Sequence, residues 1–222
     1  MSRKRKKAAP QNPSDWIGES VRVRHVDTVA MTIFEESDRG TVLVASAMID
    51  ESLGKVLRAH FMSVAGVTSE DMDFLFERQP LPPLGSLALK TRFAFCLGLI
   101  SMEMRQAISA FRDVRNDFAH NPESMQLSAR HIDSILQCFS EESREELLGV
   151  FTQLTDSLLK DASETKNPDD EQPTNPRHRS PSGPAILLAP IVSRLLGYLQ
   201  MRLESLVEVI PTVPETPPVK PE

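Results

Sequence analysis

A chain of 222 residues with 40% hydrophobic content can close one sizeable core and is too short to require two. Its formal charge of -6 excludes any whole-chain attraction to nucleic acid or to an anionic membrane. The only cysteines, Cys96 and Cys138, both sit among apolar residues, which reads as reduced structural thiols rather than a disulfide framework.

Residues 1–14 carry the basic run Arg3, Lys4, Arg5, Lys6 and Lys7 followed by prolines, and read as a disordered basic tail. Residues 8–20 lack the apolar run of an export signal, so the expected location is the cytoplasm. Residues 15–160 are expected to form an α-helical bundle of about six helices, with no confident strand. The first helix is placed over 15–37 with Val26, Val29, Ala30, Ile33 and Phe34 inward, although Val21-Arg22-Val23 alternates like a strand.

From Thr41 the run 42–49 is apolar nearly all round, the mark of a central helix covered on most sides. Its pattern through Leu43, Ala47, Gly54, Leu57 and Phe61 puts Asp50 on the core stripe, with Glu51 as the alternative if the helix is rotated. Residues 69–76 suggest a short helix, ended by the proline-rich stretch 80–85. Ser86 can cap a helix from Leu87 to about Ser101 whose core face is Leu89, Phe93, Cys96, Leu97 and Ile100.

Next comes a helix over 103–120 with Met104, Ile108, Phe111 and Phe118 inward and Arg115 in the middle of that face. A guanidinium cannot shed its charge in a core, so it must meet a carboxylate, a ring of acceptors or a phosphate from a bound partner, and Asp50 is the expected carboxylate. Pro122 ends this helix and puts His120 in its last turn or cap. Ser128 starts a helix carrying Ile132, Ile135, Leu136 and Phe139; Ser140 starts another carrying Leu147, Leu148, Phe151, Leu154 and Leu158.

Residues 161–184 are polar and proline-containing, a disordered linker by composition. Residues 185–210 then form a separate amphipathic helix with Leu188, Val192, Leu195, Leu199, Leu203, Leu206 and Ile210 on one side. Such a helix needs a partner surface, either its own bundle or a second copy, and Leu195, Leu199, Leu203 and Leu206 are the candidate contact residues. Pro190 fits only if the helix proper begins near it. The apolar stretch 185–199 is too short to span a membrane and contains Arg194. Residues 211–222 are a proline-rich tail.

Four ordered stretches carry a resemblance: 36–45 with 49–53, Pro83-Leu84-Gly85-Ser86, the run 94–100, and 114–120, Val114-Arg115-Asn116-Asp117-Phe118-Ala119-His120. Together they resemble the mannitol operon repressor family over residues 29–160. The resemblance implies an all-helical repressor of sugar-alcohol utilisation genes with no obvious DNA-reading element. The residues agree: there is no short helix-turn-helix with a basic recognition face and no zinc-ligand spacing. The expected function is a non-enzymatic transcriptional regulator, a homodimer acting through another regulatory protein, with no direct sequence-specific DNA contact, no membrane, no cofactor and no metal.

A second resemblance points to chemistry. Arg115-Asn116 followed by His120 is similar to the Arg-x-x-x-x-His motif of the HEPN superfamily, dimerising helical bundles that include metal-independent endoribonucleases. It implies that Arg115 holds a scissile phosphate while His120 moves a proton, with Asn116 beside them and residues drawn from two chains. RNA is a partner only in this alternative. Five residues on a regular helix are about 140° apart, so one chain brings Arg115 and His120 together only if the helix end unwinds. The alternative to catalysis is a structural polar cluster of Asp50, Glu51, Arg115, Asn116 and His120, with Asn116 and His120 bonding the open carbonyls of the helix end.

Overall fold

A computed structural model describes residues 29, 36–77, 80–120, 126–164 and 183–207. Among them are seven helices and no strand, so the chain is an all-α bundle. The basic tail, nearly all of the first expected helix, most of the linker and the proline-rich tail lie outside the described residues. Val29 is the exception within the first helix: it is helical and buried in the common core.

The helices are α1 (Asp38–Met62), α2 (Ser69–Phe76), α3 (Leu87–Cys96), α4 (Met102–His120), α5 (Ala129–Leu136), α6 (Glu141–Glu164) and α7 (Gly183–Val207). Ser37 caps α1 by accepting from the Gly40 amide. The α1 core residues are Val42, Ala45, Ile49, Leu53, Val56 and Leu57, a stripe rotated away from the expected one through Ala47, which is exposed. Asp38 in the first turn of α1 accepts from the Leu127 amide at 2.8 Å and so ties down the approach to α5.

The most extensive packing in the bundle is between α1 and α7. Of the two expected positions for the C-terminal helix the structure shows the first: it is not separate but packs into its own bundle. Ala185, Leu188, Ala189, Ile191, Val192, Leu195, Leu196 and Leu199 are all buried there, and Leu203 and Leu206 pack against the same core. Leu195 and Leu199 are therefore corrected from partner contacts to core residues. The reason is physical: α1 is apolar on so much of its circumference that it needs another apolar helix along it. Pro190 lies inside α7, which begins at Gly183, so the helix forgoes one amide hydrogen bond there, a cost set against the packing of fully buried Ala189 and Ile191 on either side. Among the described residues α7 alone is long and apolar enough to cross a membrane, yet more than half of that apolar window is inside the bundle.

Two arginines fasten α7. Arg194 donates to Glu146 Oε2 at 2.7 Å and to Ser143 Oγ at 2.6 Å, joining α7 to the first turn of α6. Arg202 donates to the carbonyls of Leu99 at 2.9 Å and Gly98 at 2.8 Å. Those carbonyls belong to the turn that ends α3. Gly98 takes φ +68 there, its amide bonds Phe95 O at 3.0 Å and the Leu99 amide bonds Ala94 O at 2.8 Å, a Schellman motif. This turn ends α3 at Cys96, earlier than expected.

The inward face of α3 also differs from expectation. Thr91 and Ala94 are buried, whereas Leu89, Phe93 and Leu97 are 41%, 42% and 38% exposed and Cys96 is exposed. Small side chains let α3 approach α1 and α4 closely, which turns the large ones outward. Cys138 fits the expectation better: it is half-buried, and burial raises its thiol pKa. On α6, Leu147 is buried but Leu148 is exposed, and the helix continues to Glu164, into the expected linker.

Truncating Leu195 to Ala is expected to cost about 2–5 kcal/mol in a denaturant melt, the range for emptying a packed core site, whereas a partner contact would leave the isolated chain unaffected. Gly54→Ala has the opposite expected sign. The new methyl would meet only Lys90 side-chain atoms, at 3.8 and 3.9 Å, so the better helix former should add about 0.5–1 kcal/mol in the same melt.

Candidate functional site

A cleft of about 530 Å3 opens where α1, the start of α3 and the second half of α4 meet. Leu43, Ser46, Ala47 and Asp50 line it from α1, spaced by three, one and three, which is one helix face. Arg112, Arg115 and Asn116 line it from α4 in the same way. Gly85, Ser86, Leu87 and Ala88 form the third wall, where fully buried Leu84 anchors the turn.

The space exists because most of the residues around it are small. Ser46, Ala47, Gly85, Ser86 and Ala88 cannot fill the gap between the helices. The α4 face therefore changes character along its length. Met104, Ala107, Ile108, Phe111, Val114 and Phe118 are buried, but Arg115 is exposed. Adding Ala107 and Val114 shifts the centre of the buried arc away from Arg115, and what faces Arg115 is the cleft rather than packed side chains.

The expected Asp50 to Arg115 ion pair does not form. Asp50 Oδ2 instead pairs with Lys90 Nζ at 2.7 Å, and the Lys90 side chain is only 12% exposed. Lys90 reaches across from α3 past Gly54, where a Cβ would lie 3.8 Å from its Nζ. Asp50 Oδ1 is buried and has no hydrogen-bond partner among the described residues. Arg115 donates to Asn116 Oδ1 at 3.2 Å and forms no ion pair among the described residues. Arg112 sends Nε and Nη2 to the same oxygen of its exposed neighbour Asp113, at 3.2 and 2.8 Å.

The rest of the expected polar cluster disperses. Glu51 is exposed and pairs with Lys55 one turn on, whose hydrogen bond and charge hold its carboxyl below the usual range. His120 is exposed at the end of α4 and does not line the cleft. Arg115 and Asn116 thus share a site that His120 does not enter: it is about 140° round the helix from Arg115 and, although on the face of Asn116, lies a turn farther on at the helix end. No bond from Asn116 or His120 to a helix carbonyl forms among the described residues. His131, by contrast, is structural: its Nδ1 accepts from the Ser128 amide at 3.2 Å and its ring meets Phe118 edge-on.

Sequence reasoning did not find Lys90 or the wall at 85–88. The spacing of Leu43, Ser46, Ala47 and Asp50 was a readable signal, because a face that mixes small and polar residues beside an all-apolar one marks a groove. Chemically the cleft offers the guanidinium N–H groups of Arg112 and Arg115 that Asp113 and Asn116 do not use, and the amides of Leu87 and Ala88 that no helical turn precedes. Among the described residues no group of His, Cys, Asp or Glu could hold a metal ion.

No protein-family model, curated protein or solved structure matches this chain. The two resemblances therefore rest on the residues quoted for them.

The different partners of Asp50 and Arg115 make a measurable contrast. Lys90→Met strands the half-buried Asp50 carboxylate and should cost about 1–2 kcal/mol, reduced from the value of a sealed pair because Asp50 is 34% exposed. Arg115→Met should stay within about 0.5 kcal/mol of wild type in the same urea titration. The reverse order of stabilities would restore Arg115 as the core partner of Asp50.

Proposed function

We propose that this chain is a non-enzymatic transcriptional regulator of the mannitol operon repressor type, cytoplasmic and dimeric, that acts by contact with another protein. Against catalysis within one chain stands the separation of Arg115 and Asn116, in the cleft, from exposed His120. One chain does not assemble a phosphate holder and a proton-transfer group at a common point, which general acid-base catalysis needs. The regulatory part is supported by the four ordered stretches of resemblance and by the all-α bundle that they imply. Exposed Leu89, Phe93 and Leu97 on α3 offer apolar surface of the kind that protein contact buries.

A metal-independent endoribonuclease is the second reading, and one observation favours it: Arg112 and Arg115 stand in an open cleft with no carboxylate sealing Arg115. It requires the partner chain of a dimer to bring a histidine to that cleft.

Two measurements separate these readings. In cells, deleting the gene should raise transcripts of sugar-alcohol utilisation genes several-fold, while the purified protein alone leaves their promoter DNA unshifted at physiological salt. On RNA without added metal, wild type, His120→Ala and Arg115→Lys should be equally inert. If wild type instead leaves 2′,3′-cyclic phosphate ends and both folded variants lose at least about a hundredfold, the regulator reading falls and the nuclease reading stands.

A further inference from the structure

We propose that the exposed face of α3 is a docking surface for an acidic amphipathic helix of another protein, with Leu89, Phe93 and Leu97 taking its apolar side and Arg92 and Arg105 its carboxylates. The proposal rests on the regulator reading only for the need of a protein partner, and adds where that partner sits and what chemistry it carries.

The apolar part follows from how α3 is turned. Burial of Thr91 and Ala94 fixes its inward side. Leu89, Phe93 and Leu97, the last at the C-cap, step by four along the opposite face for about 12 Å, and each is more than a third exposed. Exposed Cys96 lies on the same face. A single apolar side chain at a surface needs no explanation, but three large ones in register make a stripe. Their spacing is that of the anchors by which one amphipathic helix takes another.

The charge beside the stripe then narrows the partner. The whole chain has a formal charge of -6, yet α3 holds no acidic residue, and its charges are Lys90 and Arg92. Lys90 is committed to Asp50 at 2.7 Å. Arg92 is exposed and forms no ion pair among the described residues. Phe95, three residues on, is its neighbour on the helix surface, and Arg105 of α4 lays its guanidinium over the Phe95 ring at 4.7 Å. Two cations without a carboxylate partner among the described residues therefore border one edge of the stripe.

A second copy of the chain fits this surface poorly. Two α3 helices crossing at Phe93 would bring both Arg92 side chains together with no acid on either helix to separate them. Nucleic acid and anionic membrane reward many cations, and here two stand on a chain of net negative charge. A helix with apolar residues on one side and Asp or Glu along its borders complements both the stripe and its edge.

The test is a fluorescence anisotropy titration of the full chain against a synthetic amphipathic helix of about 18 residues, with Leu at every third or fourth position and Glu on both flanks, beside the same peptide with Lys for Glu. At low salt the Glu peptide should bind at least about tenfold more tightly than the Lys peptide, and the gap should close at about 0.5 M salt. Phe93→Ser and Leu97→Ser should each weaken the Glu peptide at least about fivefold while leaving the melting temperature unmoved, because both side chains are exposed. Arg92→Glu should bring the two peptides to within about threefold of each other. Equal binding of the two peptides to wild type, no binding of the Glu peptide at about 0.5 mM, or binding indifferent to both Phe93→Ser and Leu97→Ser would each overturn the proposal. So would a wild-type dimer that Phe93→Ser converts to monomer, which would make the stripe a face between copies. Phosphatidylserine vesicles or single-stranded RNA that displace the Glu peptide from wild type but do not bind Phe93→Ser would overturn it too. Peptide binding with unchanged sugar-alcohol transcripts in the deletion strain would remove the regulator reading and leave the surface standing.

Discussion

The bundle depends on the side-by-side burial of α1 and α7, two helices separated by much of the sequence and each too apolar to stand in water. Ile49, Leu53, Val56 and Leu57 from one and Leu188, Val192, Leu195 and Leu199 from the other fill the same core. Each of these large side chains, fully withdrawn from water, contributes about 1.5–3 kcal/mol before the entropy of ordering is set against it. The other helices complete the wall around this pair. Arg194 and Arg202 then fix where α7 lies, because each has defined hydrogen-bond partners on a neighbouring element.

The cleft follows from the same packing. Since α1 gives its largest side chains to α7 and α4, the face carrying Leu43, Ser46, Ala47 and Asp50 is left with small and polar residues. Where the start of α3 and the second half of α4 stand off from this face, its short side chains leave the space between them unfilled. Lys90, extended across Gly54, neutralises the one acid that the arrangement half-buries, and this frees Arg115 from a structural duty. An arginine on the edge of a core thereby stays exposed rather than being consumed by the fold.

Helices were legible in the sequence because their signals are local. Ser86, read as a cap, does cap α3 by accepting from a backbone amide a turn ahead, as Ser37 and Thr68 also do for α1 and α2, and apolar spacing marked α1, α4 and α5. Which way each helix turns was less legible. On α3 the apolar stripe Leu89, Phe93 and Leu97 is as regular as any core face, yet the requirement for close approach selected Thr91 and Ala94 instead. On α4 periodicity put Arg115 at the centre of the inward arc and was nearly right in angle. What it lacked was the identity of the opposing residues, which come from two other helices and turn a core position into a cleft position. The Lys90 to Asp50 pair was illegible for the same reason, since forty residues separate its members.

The central place of α7 has a consequence for the order in which the molecule is made. Ribosomal synthesis delivers α1 first and α7 only after all the other described helices, so the core-lining side of α1 emerges with its main cover still untranslated. During that interval the nascent chain displays the kind of apolar surface that chaperones hold and proteases recognise. A message cut short anywhere before Gly183 yields a product that cannot hide this surface, so the fold itself distinguishes finished chains from interrupted ones.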